Sequence, residues 1–267
     1  MRRELGGPSK TTMNASEQLQ QFPHLPRAPI TEAVIDFRAK LPDGFVIEGF
    51  RDLQSKLGGD FTSVEELKGI QLHLQFGAPH AVEVPSRKDL GVAGYCFRSA
   101  DGKNIAQFRR DGFTLSRLAP YTSWEDVFAQ AARLWMLYAE TATPIDVPRI
   151  AVRYINRILV PQPLSDLSKY LTALPVLPKN WPNILSGFLT KVVIHDPASA
   201  LVANVAQALE SPADERHVPV LLDIGVSEQI MFDGKAEASL SRFEKLRQLK
   251  NRIFFSSLTE EAINLFR

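Results

Sequence analysis

Cysteine is almost missing from this 267-residue chain, and so is an excess of charge of either sign: Cys96 is the single cysteine, and 31 basic residues stand against 30 acidic ones. One cysteine excludes an internal disulfide framework and a cysteine-rich zinc site, and it is typical of a reducing compartment, so we expect a cytoplasmic protein. The net charge of +1 argues against a protein whose main role is to wrap duplex nucleic acid, because such domains are usually strongly basic.

Long apolar runs and the common catalytic motifs are missing too. No stretch reaches the roughly 18 apolar residues of a membrane-spanning helix, so no membrane contact is expected. The chain has no glycine-rich phosphate loop, no G-x-S-x-G or H-E-x-x-H motif and no cysteine pair, and its five histidines stand far apart. We therefore predict no catalytic residue, no metal site and no cofactor, and the sequence favours a protein that is not an enzyme.

Two local features have structural interpretations. His195, Asp196 and Pro197 are consecutive, and they are predicted to form a turn rather than a catalytic pair, because aspartate and proline favour turns. Cys96 stands between two aromatic residues in a predicted strand, where a buried, unreactive thiol is expected.

The domain organisation follows from the distribution of polar and apolar residues. Residues 1–22 are nearly all polar and are predicted to form a flexible tail. Three prolines within 22–29 favour an extended segment that lies along the surface. Residues 23–267 are predicted to form a single compact domain made of two halves, 31–142 and 149–266.

Alternation of apolar and polar residues predicts the strands, and two Asp-Gly steps at 101–102 and 111–112 predict tight hairpins. Apolar residues at spacings of three and four predict two long amphipathic helices, one behind a capping box of Thr122 and Glu125 and one that begins near Ser239. Shorter helices are expected at 46–57, at 164–171 and after Thr259. The predicted strands are 33–40, 69–76, 95–98, 104–109, 113–118, 149–160, 188–195, 201–209 and 218–226.

Both halves follow the order strand, helix, antiparallel strands, long helix, although no residue-level repeat links them. The predicted fold class is therefore α+β: a curved, largely antiparallel sheet from two pseudo-repeated halves, packed against the long amphipathic helices. Descent of the halves from a duplication is a hypothesis at this point.

Polar side chains interrupt the otherwise apolar central strand at 149–160, which carries Arg153, Tyr154, Asn156 and Arg157. Buried polar groups need partners, so one interpretation pairs the two arginines with acidic residues of neighbouring elements. In the other, these four residues line a cleft for a small anionic or planar ligand or a partner protein. Our first hypothesis is therefore a non-catalytic binding protein that uses this cleft.

Two alternatives stay open. The strands from 95 to 118 carry excess positive charge, and Arg98, Arg109, Arg110 and Arg117 are candidate phosphate contacts for single-stranded nucleic acid. The neighbouring phenylalanines are expected in the core, which leaves that basic face without stacking platforms. An enzyme with a cleft between the halves is the third possibility, with no residue assigned to it. A homodimer through an exposed sheet edge is also compatible with the sequence.

Three segments, 26–35, 149–158 and 246–255 followed by 258–260, resemble a bacterial family of roughly this length, whose members are known as sporadically distributed proteins of unknown function. The resemblance covers most of residues 22–266, and its central segment is the most specific. It brings no activity, cofactor or catalytic residue. It implies a bacterial cytoplasmic protein with a scattered occurrence typical of mobile or defence-associated loci, and hence a partner-binding component of a defence or toxin–antitoxin-like system.

Overall fold

The computed structural model describes residues 21–73, 86–162, 166–182, 185–197, 199–211, 214–230 and 240–267. Within them, nine strands form one sheet in which every neighbouring pair is antiparallel. The order across the sheet is β2-β3-β4-β5-β1-β6-β9-β8-β7, so the sheet is open, with β2 and β7 at its edges. The strands are β1 (Ile30–Lys40), β2 (Ser63–His73), β3 (Ser86–Arg98), β4 (Asn104–Arg109), β5 (Gly112–Leu118), β6 (Asp146–Pro161), β7 (Phe188–Asp196), β8 (Leu201–Leu209) and β9 (His217–Gln229).

The helices are few. A 3-10 helix at Ile47–Leu53 continues into α1 (Gln54–Leu57), and a 3-10 turn lies at Leu167–Lys169. The longer helices are α2 (Trp124–Ala142) and α3 (Phe243–Ser257), and α4 (Glu260–Asn264) follows as a short one. None of the described helices has the length and hydropathy that a membrane span requires.

The helix caps match the sequence only in part. Ser123 caps α2, because its hydroxyl accepts a hydrogen bond from the Asp126 amide at 3.0 Å, so the cap lies one residue beyond the predicted Thr122. Thr259 caps α4 as predicted, with its hydroxyl accepting from the Ala262 amide at 3.3 Å.

The predicted α+β class, with a layer of long amphipathic helices, is wrong: strands make up 42% of the structure and helices 26%, one nine-stranded antiparallel sheet dominates, and of the described helices only α2 and α3 exceed ten residues. One reason is that strands run longer than their alternation indicates, and β2 already begins at Ser63. The other is that two of the three predicted shorter helices, at 46–57 and 164–171, are largely 3-10 helix or turn in their described residues. Residues 1–20 of the predicted tail and 74–76 of a predicted strand lie outside the described residues.

The first strands of the two predicted halves, β1 and β6, pair at the centre of the sheet. Outward from β1 lie β5, β4, β3 and β2, and outward from β6 lie β9, β8 and β7. In each half the last strand therefore lies next to the first one, and the remaining strands follow towards the edge in reverse chain order. The register places Ala33 opposite Tyr154 and Phe37 opposite Ile150. These side chains share one face of the sheet, called the inner face below.

The core lies on this inner face, where α2 and α3 contact the central strands. Phe37 of β1 stacks on Trp135 of α2 with ring centres 4.3 Å apart, and it tilts against Phe243 of α3 at 4.9 Å. All three are fully buried, as is Tyr138, whose hydroxyl donates to the Arg109 carbonyl at 2.9 Å. This aromatic cluster fixes both helices against the sheet.

Candidate ligand-binding cavity

The alternation of β6 divides the four predicted cleft residues between the two faces of the sheet. Tyr154 and Asn156 lie on the inner face and are each 1% exposed, whereas Arg153 and Arg157 lie exposed on the outer face. One ligand cannot contact all four. We predicted them as one site because they are neighbours along the strand. The alternation of side chains in a strand, however, already assigns them to opposite faces.

On the outer face, both arginines form the ion pairs expected under the structural interpretation. The Arg153 guanidinium donates to both carboxylate oxygens of Asp223, at 2.8 and 2.5 Å, and these hydrogen bonds raise the pKa of Arg153. Arg157 Nε donates to Glu210 at 3.1 Å. Arg153 also lines a hollow of about 410 Å³ on this face, where a second cation, Arg149, pairs with Asp36 at 3.1 Å.

The four arginines of the nucleic-acid hypothesis also have protein partners. Arg109 lies 3.3 Å from Asp36 and 3.0 Å from Asp111, and Arg98 lies 4.0 Å from Glu65. The other two donate to backbone carbonyls, Arg110 to Phe45 at 3.3 Å and Arg117 to Pro120 at 3.1 and 3.2 Å. The nearby rings of Phe97, Phe108 and Phe113 are fully buried, as expected, and so offer no stacking surface for bases.

A cavity of about 440 Å³ opens where the inner face of β6 meets α3. Its other walls are the loop before α2 and the N-terminal segment of residues 22–29, which we call the strap. Tyr154 and Asn156 lie in its wall together with Arg247, Lys250 and Asn251 of α3. The aromatic lining is Phe22, Tyr121, Trp124, Tyr154, Phe254 and Phe255.

The strap is held at both ends. Phe22 stacks on Phe255 of α3 with ring centres 5.2 Å apart and planes 9° from parallel. The Arg27 amide donates to the Phe266 carbonyl at 3.1 Å, and the Arg157 amide donates to the Pro29 carbonyl at 2.8 Å. Proline restricts the backbone of this segment, so the strap forms a defined wall of the cavity.

We call the cavity between the strap, β6, α3 and the loop before α2 the strap cavity. Its most unusual side chain is Lys250. Its Nζ lies 4.0 Å from the centre of the Tyr154 ring, and within the described part of the chain no carboxylate approaches Nζ within 4.0 Å. Burial, with a smaller effect from the neighbouring Arg247, lowers the pKa of Lys250 from 10.5 to about 7. Near neutral pH this amine therefore gains or loses its proton readily.

Two tyrosine hydroxyls and one amide complete the polar wall. The hydroxyl oxygens of Tyr121 and Tyr154 lie 3.3 Å apart, and burial raises the pKa of both, so both stay protonated at neutral pH. Asn156 Nδ2 donates to the Leu222 carbonyl at 2.9 Å. Its Oδ1 accepts no hydrogen bond from the described residues, so it is available to a ligand.

Arg247 lies on the same helix, one turn before Asn251, and differs from Lys250 in being neutralised. It pairs with Glu125 at 3.1 Å and with Glu244 at 3.4 Å, and its guanidinium lies over the Trp124 ring, 5.4 Å from the ring centre. Of the two basic residues that α3 contributes to this wall, Lys250 is therefore the one whose charge is free to bind an anion.

Sequence reasoning missed Lys250 because the closing helix carries many basic residues, a pattern that usually marks a solvated face. The spacing along the helix nevertheless indicated where Lys250 lies. Lys250 is four residues after Leu246 and seven after Phe243, both buried, so helical spacing places it beside the apolar stripe.

The 195–197 segment and Cys96 can now be placed in the structure. A turn follows Asp196 at the end of β7, as predicted. Asp196 Oδ2 accepts from the side-chain hydroxyl of Ser199 at 2.7 Å, and it also pairs with Arg252 at 3.4 Å. Cys96 is buried as predicted, and burial raises the pKa of its thiol. Within the described residues, no three His, Cys, Asp or Glu side chains cluster closely enough to hold a metal ion.

No family model matches this chain, and no curated protein is significantly similar to it. The resemblance to the sporadically distributed bacterial family stays a prediction, and so does the defence context that it implies.

Proposed function

We propose that this chain is a non-catalytic binding protein that holds a small anionic ligand in the strap cavity. The observation that carries the proposal is Lys250, an amine without a carboxylate partner among the described residues, set against Tyr154 in the wall of a cavity of about 440 Å³. Removing a lysine from water is unfavourable unless something offsets it. An anionic ligand supplies the missing counter-charge.

The remaining wall suggests the rest of the ligand. Ligand pockets of about 300–1,000 Å³ are usually apolar, with a few convergent polar groups that fix orientation. The strap cavity fits that description: aromatic rings provide a planar apolar surface, while the Asn156 carbonyl and the two tyrosine hydroxyls provide hydrogen bonds. A compact carboxylate or phosphate with a flat or apolar body meets these requirements.

The geometry favours this ligand over the other hypotheses. Arg153 and Arg157 are paired on the opposite face, so they have little charge to offer to a partner. The four arginines of the nucleic-acid hypothesis are engaged with protein groups and lack exposed rings beside them. The proposal therefore keeps Tyr154 and Asn156 from the sequence-based site and replaces the two arginines with Lys250.

A ligand screen by thermal shift on the full chain tests the proposal, with aromatic carboxylates, dicarboxylates and mononucleotides as probes. We expect at least one probe to raise Tm and to bind in calorimetry. Lys250→Met should then weaken its affinity more than tenfold. Lys245→Met is the matched control, because Lys245 lies exposed on the same helix, and it should bind like the wild type. Equal affinity in both variants, or no stabilising probe at all, would contradict the proposal.

A further inference from the structure

The edge strand β7 exposes apolar side chains on both of its faces. Leu189 is 74% exposed, Val192 50%, Val193 54% and Ile194 45%. Successive residues of a strand point to opposite faces, so these four leave both faces of β7 uncovered. In the described part of the chain β7 pairs only with β8, so the backbone groups on its other side, from Phe188 to His195, have no partner among those residues.

The opposite edge of the sheet is built differently. The first part of β2 carries Glu65, Glu66 and Lys68, and its pairing with β3 shifts register near Lys68. Charged side chains and bulges are the common means by which proteins block pairing at a sheet edge. In β7 the pairing with β8 is continuous from Phe188 to Asp196, and Lys191 and His195 are the basic residues that flank its apolar stretch.

We propose that β7 pairs antiparallel with β7 of a second copy of this chain, so that two nine-stranded sheets join into one. The sequence of β7 is compatible with self-pairing. A two-fold axis at Val193 places that residue opposite its own copy and Val192 opposite Ile194, so apolar side chains meet on both faces.

In this register Lys191 lies opposite His195, and the lysines of the two copies are separated along the strands, so the two lysines do not stand directly opposite each other. An axis at Val192 would instead place the charged Lys191 opposite the apolar Val193, and Phe188 opposite Asp196. The axis at Val193 is therefore the favoured register because it pairs apolar residues with apolar ones, and a second copy matches this edge in hydrogen bonding and hydropathy.

Sedimentation of the full chain over a wide concentration range tests the pairing. We expect a monomer–dimer equilibrium that Val193→Lys shifts to monomer, because it places like charges opposite each other on the axis. Glu66→Lys changes the other edge and should leave the dimer intact. Circular dichroism checks that Val193→Lys, at an exposed position, still folds. A wild type that is monomeric throughout, or a dimer that Val193→Lys leaves unchanged, would overturn the proposal.

Oxidative cross-linking tests the register independently of stability. Val193→Cys should give a disulfide-linked dimer, since the two residues face each other on the axis. Val192→Cys should not, because Val192 faces Ile194. Cys96 is buried and contributes no competing cross-link. Aggregation without a discrete dimer, or equal cross-linking of both variants, contradicts the proposed pairing.

Discussion

Lys250 Nζ of helix α3 lies 4.0 Å from the centre of the Tyr154 ring of strand β6. This contact joins two of the elements that line the strap cavity. Burial, and to a smaller extent the charge of Arg247, lowers the pKa of Lys250 to about 7. The amine can thus accept a proton when an anion arrives, which gives the cavity a ligand preference and a pH dependence.

Lys250→Met should stabilise the folded protein while weakening binding. The substitution removes a desolvated amine and keeps a flexible apolar side chain of similar length, so we expect a higher Tm at pH 7 without ligand. Thermal unfolding of the wild type and the variant, beside the calorimetry described above, measures both effects. A lower Tm for the variant would indicate a structural lysine.

The pH dependence of unfolding has a definite sign. The pKa of Lys250 is lower in the folded state than in the unfolded chain, so between about pH 7 and 10.5 the unfolded chain binds more protons. Relative to Lys250→Met, the wild type should gain stability as the pH rises through this window, by up to about 1.4 kcal/mol per pH unit. Urea unfolding at several pH values checks this. Parallel curves for the two proteins would contradict it.

Ligand affinity should show the opposite trend. An anion binds the protonated amine, so its affinity should fall as the pH rises above about 7, and binding near pH 7 should take up a proton. Calorimetry in buffers of different ionisation enthalpy measures that uptake. Proton release, or affinity that is independent of pH, would show that Lys250 does not bind the anion.

Much of the sheet was predictable, because alternation and the Asp-Gly hairpins gave β4 and β8 with their observed bounds. The start of β2 was missed because an edge strand with Glu65 and Glu66 has no continuous apolar face. The apolar spacing at 46–57 is that of an α-helix, yet Ile47–Leu53 is a 3-10 helix and only Gln54–Leu57 is α-helical, so the spacing predicted a helix but the wrong type for most of it.

The candidate site was predictable only in part. Tyr154 and Asn156 interrupt an apolar strand and were identified from that pattern alone. Lys250 lies almost a hundred residues further on, and only the packing of α3 on β6 brings it to Tyr154. Its position beside the apolar stripe of α3 indicated that it could be buried. A lysine at the edge of that stripe can equally be solvated, so the position alone did not identify it.

Arg153→Ala should leave ligand binding unchanged, because Arg153 lies on the outer face, across the sheet from the strap cavity. Its ion pair with Asp223 is partly exposed, so we expect a loss of no more than about 1 kcal/mol in the free energy of unfolding. A double-mutant cycle with Asp223→Ala measures the pair. A marked loss of affinity in Arg153→Ala would indicate that the ligand binds on the outer face.

Phe22→Ala should loosen the strap. The stacked pair of Phe22 and Phe255 contributes roughly 0.5–1.5 kcal/mol beyond the burial of its area, so we expect affinity to fall by up to about tenfold. Limited trypsin cleavage at Arg27 should become faster, while the Tm of the domain changes little. Unchanged cleavage and affinity would show that the strap does not depend on this contact.

An NMR titration of Lys250 itself, in protein labelled with carbon-13 at lysine and with Lys250→Met to assign the signal, tests the anion site directly. We expect a pKa near 7 in the free protein, and a rise when the anion identified by the ligand screen is bound. An ordinary lysine pKa that the anion does not change would show that Lys250 is not the group that binds it.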